Sequence, residues 1–157
     1  MSINPEKIKI ENTKNLVNIG LLALDDLPEL EIKTFRQSNE VAKRTIVLSA
    51  FIQLLFGAPN DFVDSYLTEN ELLDALTDEE KKRLTIDFED WTEKEKDDLE
   101  STIETIWALV WAGGLNSKEL TLNTPVEEIL ASLLPQFYEN ETPENFISNY
   151  VLLPEVE

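Results

Sequence analysis

The chain has no cysteine and no histidine. Without thiols there is no disulfide framework, no thiol nucleophile and no cysteine metal site. Without imidazole, the commonest general base, the usual zinc ligand and every Ser-His or Cys-His arrangement are absent. A cysteine-free chain fits a reducing cytoplasm, and a cytoplasmic location is expected. Glycine is scarce: the four are Gly20, Gly57, Gly113 and Gly114. No Gly-rich phosphate loop, nucleophile elbow or Walker pattern occurs. The longest apolar run, Ile46–Phe56, is broken by Ser49 and Gln53 and is too short to span a bilayer. The first twenty residues mix Glu6, Lys7, Lys9, Glu11 and Lys14 among the apolar positions, so they hold no signal-peptide core. There is no repeat of fixed period and no low-complexity tract.

Positive charge is the other shortage, with 13 Lys and Arg against 32 Asp and Glu and a net charge of -19. The imbalance is uneven. Residues 1–59 hold seven acidic and seven basic side chains, residues 60–100 sixteen and five, and residues 101–157 nine and one, the one being Lys118. Such a surface repels nucleic acid and anionic membranes and steers a basic partner toward it at low salt. The plainer reading of the same charge is solubility.

The stretch Thr92–Leu115 organises the rest. Thr92 and Glu95 form a capping box, and Glu93 adds negative charge where the helix dipole favours it. Leu99, Ile103, Ile106 and Val110 recur at helical spacing, and Gly113-Gly114 supplies a stop. One helix of roughly 30 Å is expected at ~1.5 Å per residue. Glu100, Glu104, Trp107 and Trp111 share a stripe beside the apolar face. A carboxylate next to two indoles suits a catalytic acid, but an ordinary boundary stripe is favoured, with Glu104 paired to an arginine. Trp107 and Trp111 read as packing residues.

A second helix is expected from Ser38 to about Phe56. From Thr45 onward its polar residues are Thr45, Ser49 and Gln53, one thin stripe on an apolar cylinder, so it is read as a buried central helix. Gly57-Ala58-Pro59 ends it. It is expected to pack against Thr92–Leu115, with Arg44 paired to Glu104. Asn60 or Asp61 opens a short helix. Thr68 to Glu71 and Thr77 to Glu80 read as two further capping boxes. Leu84–Phe88 alternates and is read as an extended connector or short strand, and Leu30–Thr34 as a short edge strand. Thr124-Pro125 and Thr142-Pro143 start the last two helices. The fold expected is mainly α: a single-domain bundle of six or seven helices with at most a small β-hairpin. Its parts are an irregular arm over 1–35, a helical core over 36–150 and a tail over 151–157.

Asp87, Glu89, Asp90, Glu93 and Glu95 crowd around Trp91 in the most acidic locality of the chain. The spacing is not that of an EF-hand, because the central glycine is missing. No metal or cofactor is therefore expected. Trp91 is either a packing residue or part of a patch for a cationic or protein ligand.

Three segments together resemble a bacterial family of small helical proteins of unknown function: FRQSNEVAKRTIVLSA, LTENELLDALTDEEKKRL and the E-x-x-W-A-L-V-W-A-G-G-L helix end. Arg44, Glu104, Trp111 and Gly114 fall at matching positions. Ser101 and Thr102 stand where the family has a tryptophan-arginine pair, and Gly113 where it has leucine. The resemblance implies an all-helical fold with Arg44 and Glu104 as framework residues, and it brings no activity or cofactor.

The function expected is a non-enzymatic interaction protein that binds a basic protein partner through Asp87, Glu89, Asp90, Trp91 and Glu93, with a toxin-neutralising immunity-type protein as its most concrete form. The alternative is a hydrolase using carboxylates or a divalent metal.

Overall fold

The computed structural model describes residues 4–22, 36–115 and 126–152. The chain divides into two compact units, residues 1–36 with 155–157, and residues 37–154. In the first, helix α1 spans Pro5–Asn18 and is capped by the Asn4 side chain, which accepts from the Lys7 N–H. The expected Leu30–Thr34 strand lies outside the described residues.

The second unit is built around helix α2, Ser38–Leu55. Ala42, Ile46, Val47, Ala50, Phe51 and Leu54 are almost wholly enclosed, as expected for a cylinder apolar nearly all round. Its buried hydroxyls are satisfied within the helix: Thr45 Oγ1 donates to Val41 O at 2.8 Å and Ser49 Oγ to Thr45 O at 2.7 Å. This back-bonding satisfies two polar residues in the core, and Thr45 also meets the Tyr150 hydroxyl. Ser38 is the first helical residue rather than the cap. The extended residue before it is Gln37, whose N–H donates to Glu40 at 3.0 Å.

The stop after α2 is a Schellman turn: Gly57 N–H bonds Leu54 O, Ala58 N–H bonds Gln53 O, and Gly57 takes φ 88. Glycine adopts that left-handed geometry without a Cβ penalty. Helix α3, Asn60–Glu69, then ends in the same bond pattern with Glu71 at φ 55 in the glycine's place. The turn brings Leu67 and Leu72 together, both fully buried. The capping box expected at Thr68 and Glu71 therefore does not open a helix. Thr68 belongs to the last turn of α3, because burying this leucine pair requires the chain to reverse there.

A 3-10 turn at Leu73–Ala75 leads to helix α4, Asp78–Leu84, which the Thr77–Glu80 capping box starts as expected. Residues 84–88 do not form a strand: the chain turns and enters a 3-10 turn at Phe88–Asp90.

The long helix expected from Thr92 is present in two pieces, α5 (Glu93–Glu100) and α6 (Thr102–Ala112), broken at Ser101. Ser101 Oγ donates to Asp98 O and Thr102 Oγ1 to Leu99 O, both at 2.7 Å. Two adjacent hydroxyls compete for carbonyls that helix amides would otherwise use, and the helix is interrupted there. A Schellman turn with Gly114 at φ 69 ends α6.

Helix α7 (Val126–Leu133), a 3-10 turn at Phe137–Glu139 and helix α8 (Glu144–Asn149) complete the unit. α2 packs against α3, α5, α6 and α8, most extensively against α6, and α7 packs on α6. The C-terminal segment is tied in by tyrosine hydroxyls: Tyr66 donates to Glu141 O at 3.0 Å and Tyr150 to Leu109 O at 2.6 Å. Val151 N–H reaches Gly113 O, and Leu152 N–H reaches Ser38 Oγ. Burial and the neighbouring Glu141 carboxylate push the Tyr66 hydroxyl up to about 12. The fold is mainly α as expected, with eight α-helices and no strand among the described residues. Helix α1 lies within residues 1–35, the stretch read as an irregular arm.

Candidate functional site: an acidic face and the cleft beside it

The acidic locality is held in place from beneath. Asn60, the first residue of α3, donates from Nδ2 to Ile86 O at 2.7 Å and to Leu84 O at 3.3 Å. Its Oδ1 accepts from the Phe88 N–H at 3.0 Å. One amide thus uses both of its ends to fix the chain between α4 and α5. Trp91 closes the same turn. Its indole is 5% exposed, and Nε1 donates to Ile86 O at 3.1 Å. The Phe88 ring lies 5.2 Å away, and the Arg83 guanidinium sits 5.1 Å over the indole. Trp91 is thus the packed anchor of the loop.

Asp87, Glu89, Asp90 and Glu93 lie on the outer surface of this loop, all exposed. Lys96 lies among them, 3.5 Å from Glu93 and 5.6 Å over the Phe88 ring. Since the Glu93 side chain is 89% exposed, that pair contributes little. No cluster of three or more carboxylates among the described residues is arranged to hold a metal ion.

Arg44 does not meet Glu104. Its two terminal nitrogens reach Glu80 at 2.6 and 2.7 Å, and NH1 also donates to Ala75 O at 3.2 Å. Glu80 is the third residue of α4 and simultaneously accepts from the Thr77 N–H at 2.8 Å. The face of α2 that carries Arg44 looks toward the start of α4, whereas Glu104 is exposed on α6. Both members of the observed pair are largely sheltered, with side-chain exposures of 23% and 15%. Burial alone would raise the Glu80 pKa, but the hydrogen bonds from Arg44 and Thr77 together hold it below the usual glutamate value.

The stripe beside the apolar face of α6 is likewise uneven. Trp107 is buried, Trp111 is 44% exposed, and Glu100 and Glu104 face outward. Of the two tryptophans read as packing residues, Trp107 is enclosed, whereas Trp111, one turn further along α6, is only half covered.

Between α2, α4 and α5 lies a cleft of about 300 Å³. Leu48, Phe51, Leu99 and Trp91 form its apolar part, and the Arg44–Glu80 pair forms one wall. Glu79 and Asp98 stand at its exposed rim. A second cavity of about 200 Å³, where α2, α6 and α7 meet, is lined mainly by aliphatic side chains.

The sequence model of one protein family, described as a domain of unknown function (DUF4272), matches residues 9–157. The chain belongs to the DUF4272 family. The match takes in the acidic face and the cleft together. No match was found among curated proteins or among solved structures. DUF4272 membership accordingly supports the expected family of unknown function and carries no activity to this site.

Asn60 and Glu80 are the site residues that sequence reasoning placed without giving them a role at the site. Asn60 was expected to open a helix, and Glu80 to complete a capping box. Both do so, and each also makes a tertiary bond invisible to local pattern. In the DUF4272 chain, the signal for Glu80 was its fixed position at the start of a helix, which aims the carboxylate back over the first turn.

Proposed function

We propose that this DUF4272 protein is a non-enzymatic interaction domain that binds a basic protein partner through the face carrying Asp87, Glu89, Asp90 and Glu93. The observation that supports it most is the way this face is mounted. Four exposed carboxylates are presented by a turn whose backbone is fixed by Asn60 and Trp91. A face that is already ordered loses little conformational freedom on association, and its charge steers a cationic partner. Neutralisation of a basic toxin, with the cytoplasm as the setting, is the most specific version of this reading. No described helix is long and apolar enough to cross a membrane.

Hydrolysis by paired carboxylates, the other expectation, calls for a carboxyl group kept protonated by a raised pKa. The described carboxylates with displaced values, Glu80 and Glu95, are displaced downward by hydrogen bonds. That suits structural pairing and capping. The test is capture of partners from the native extract at low and high salt by the wild-type chain and by a variant with Asp87, Glu89, Asp90 and Glu93 all changed to lysine. A basic protein retained at low salt, released at high salt and lost from the variant is expected. Retention unchanged by the four reversals would remove the reading.

A further inference from the structure

We infer that the cleft between α2, α4 and α5 receives a basic side chain, arginine or lysine, projected by the protein partner. The inference rests on the acidic-face reading and locates the partner's anchor beside that face. The cleft measures about 300 Å³, at the lower end of the ~300–1,000 Å³ found for small-molecule sites, so it suits one long side chain better than a cofactor. Its own cations are already engaged. Arg44 is held by Glu80 and Ala75 O. Arg83 lies over Trp91 and 3.7 Å from Glu95. The rim carboxylates differ: Glu79 and Asp98 are exposed, and neither carboxylate has a hydrogen-bond or ion-pair partner among the described residues. The uncompensated charge of the cleft is therefore negative and sits at its mouth, above an apolar floor of Leu48, Phe51 and Leu99. Arginine and lysine have the matching form, an aliphatic stem that covers apolar surface and a charged head that stays at the edge. Arginine is also among the residues most often found as interface anchors.

The test uses the full chain and the blocked tripeptide acetyl-Gly-Arg-Gly-amide, with acetyl-Gly-Gln-Gly-amide as the neutral control, followed by amide NMR shifts. Saturable shifts confined to residues 44–51, 77–83, 91 and 98–102, absent with the control, are expected. The double variant Glu79→Gln, Asp98→Asn should weaken binding by about fivefold or more, since it removes both rim charges. These positions are exposed, so the variant is expected to keep the wild-type spectrum elsewhere. Shifts spread along the whole acidic surface, shifts unchanged in the double variant, or no shifts at all would each overturn the inference. The four-lysine variant of the outer face separates the two readings: it should abolish partner capture while leaving the pattern of tripeptide shifts at the cleft.

Discussion

Arg44 of α2 and Glu80 of α4 meet through two hydrogen bonds, at 2.6 and 2.7 Å, across 36 residues of sequence. This forked geometry is the strong form of an ion pair, and here it joins the central helix to the short helix that borders the cleft.

Replacing Arg44 by methionine keeps much of the aliphatic bulk but leaves Glu80 sheltered without its counter-charge. A loss of about 3 kcal/mol is expected, the size seen when one partner of a buried pair is removed. Chemical denaturation of Arg44→Met measures it. A loss under about 0.5 kcal/mol would mean that the pair behaves as an exposed one.

The same pair fixes a pH dependence. The Glu80 pKa is lower in the folded chain than its ordinary value of 4.5, so the unfolded chain binds more protons between the two values. Its contribution to stability is then fully present above 4.5 and is lost as pH falls through the folded value. Melting temperatures recorded from pH 7 down to pH 3 should drop less steeply for Glu80→Gln than for wild type. A glutamine in a capping box still reaches the cap N–H, so the difference isolates the charge.

Gly113 lies against the Tyr150 ring so closely that a Cβ there would overlap it. The φ of Gly113 is -79, which any residue adopts, so the constraint is one of space. Tyr150 cannot readily move away, because its hydroxyl is bonded to Leu109 O. Gly113→Ala should cost about 1–3 kcal/mol, as for other overpacked sites. A wild-type unfolding midpoint would show that the ring yields.

Glu71 holds the left-handed position at the end of α3 with φ 55, and its side chain is exposed. Left-handed geometry costs a residue with a Cβ roughly 1–2 kcal/mol, and glycine avoids that cost. Glu71→Gly is expected to stabilise the chain by about 1 kcal/mol, after the greater entropy of glycine in the unfolded state is subtracted. A lowered melting temperature would contradict the turn described here.

The parts of this architecture written in local pattern were readable in advance. The Thr77–Glu80 and Thr92–Glu95 capping boxes form with both of their reciprocal bonds. The nearly all-apolar stretch of α2 lies in the core and stops at Gly57. Local pattern failed where two local signals competed or where tertiary register decided. Thr68 to Glu71 has the spacing of a helix start, yet Leu67 and Leu72 close a helix end across it. Ser101 and Thr102 break a helix whose apolar periodicity runs straight through them. Arg44 had many carboxylates within plausible reach, and spacing along one helix says nothing about which neighbouring helix its face meets. The candidate site was legible as an acidic locality around Trp91. Its mounting by Asn60 and the adjoining cleft depend on contacts between elements more than twenty residues apart.

The last bonds among the described residues have a consequence for the order of assembly. Ser38 at the head of the central helix receives the Leu152 N–H, and Gly113 O receives that of Val151. Contacts at such sequence separation require a large loop to close first, which slows folding. During synthesis, α2 through α6 leave the ribosome with the Tyr150 side of Gly113 uncovered. The unit can be finished only when residue 152 has emerged, so a chain halted shortly before it should retain helices but lack the sealed edge between α2 and α6.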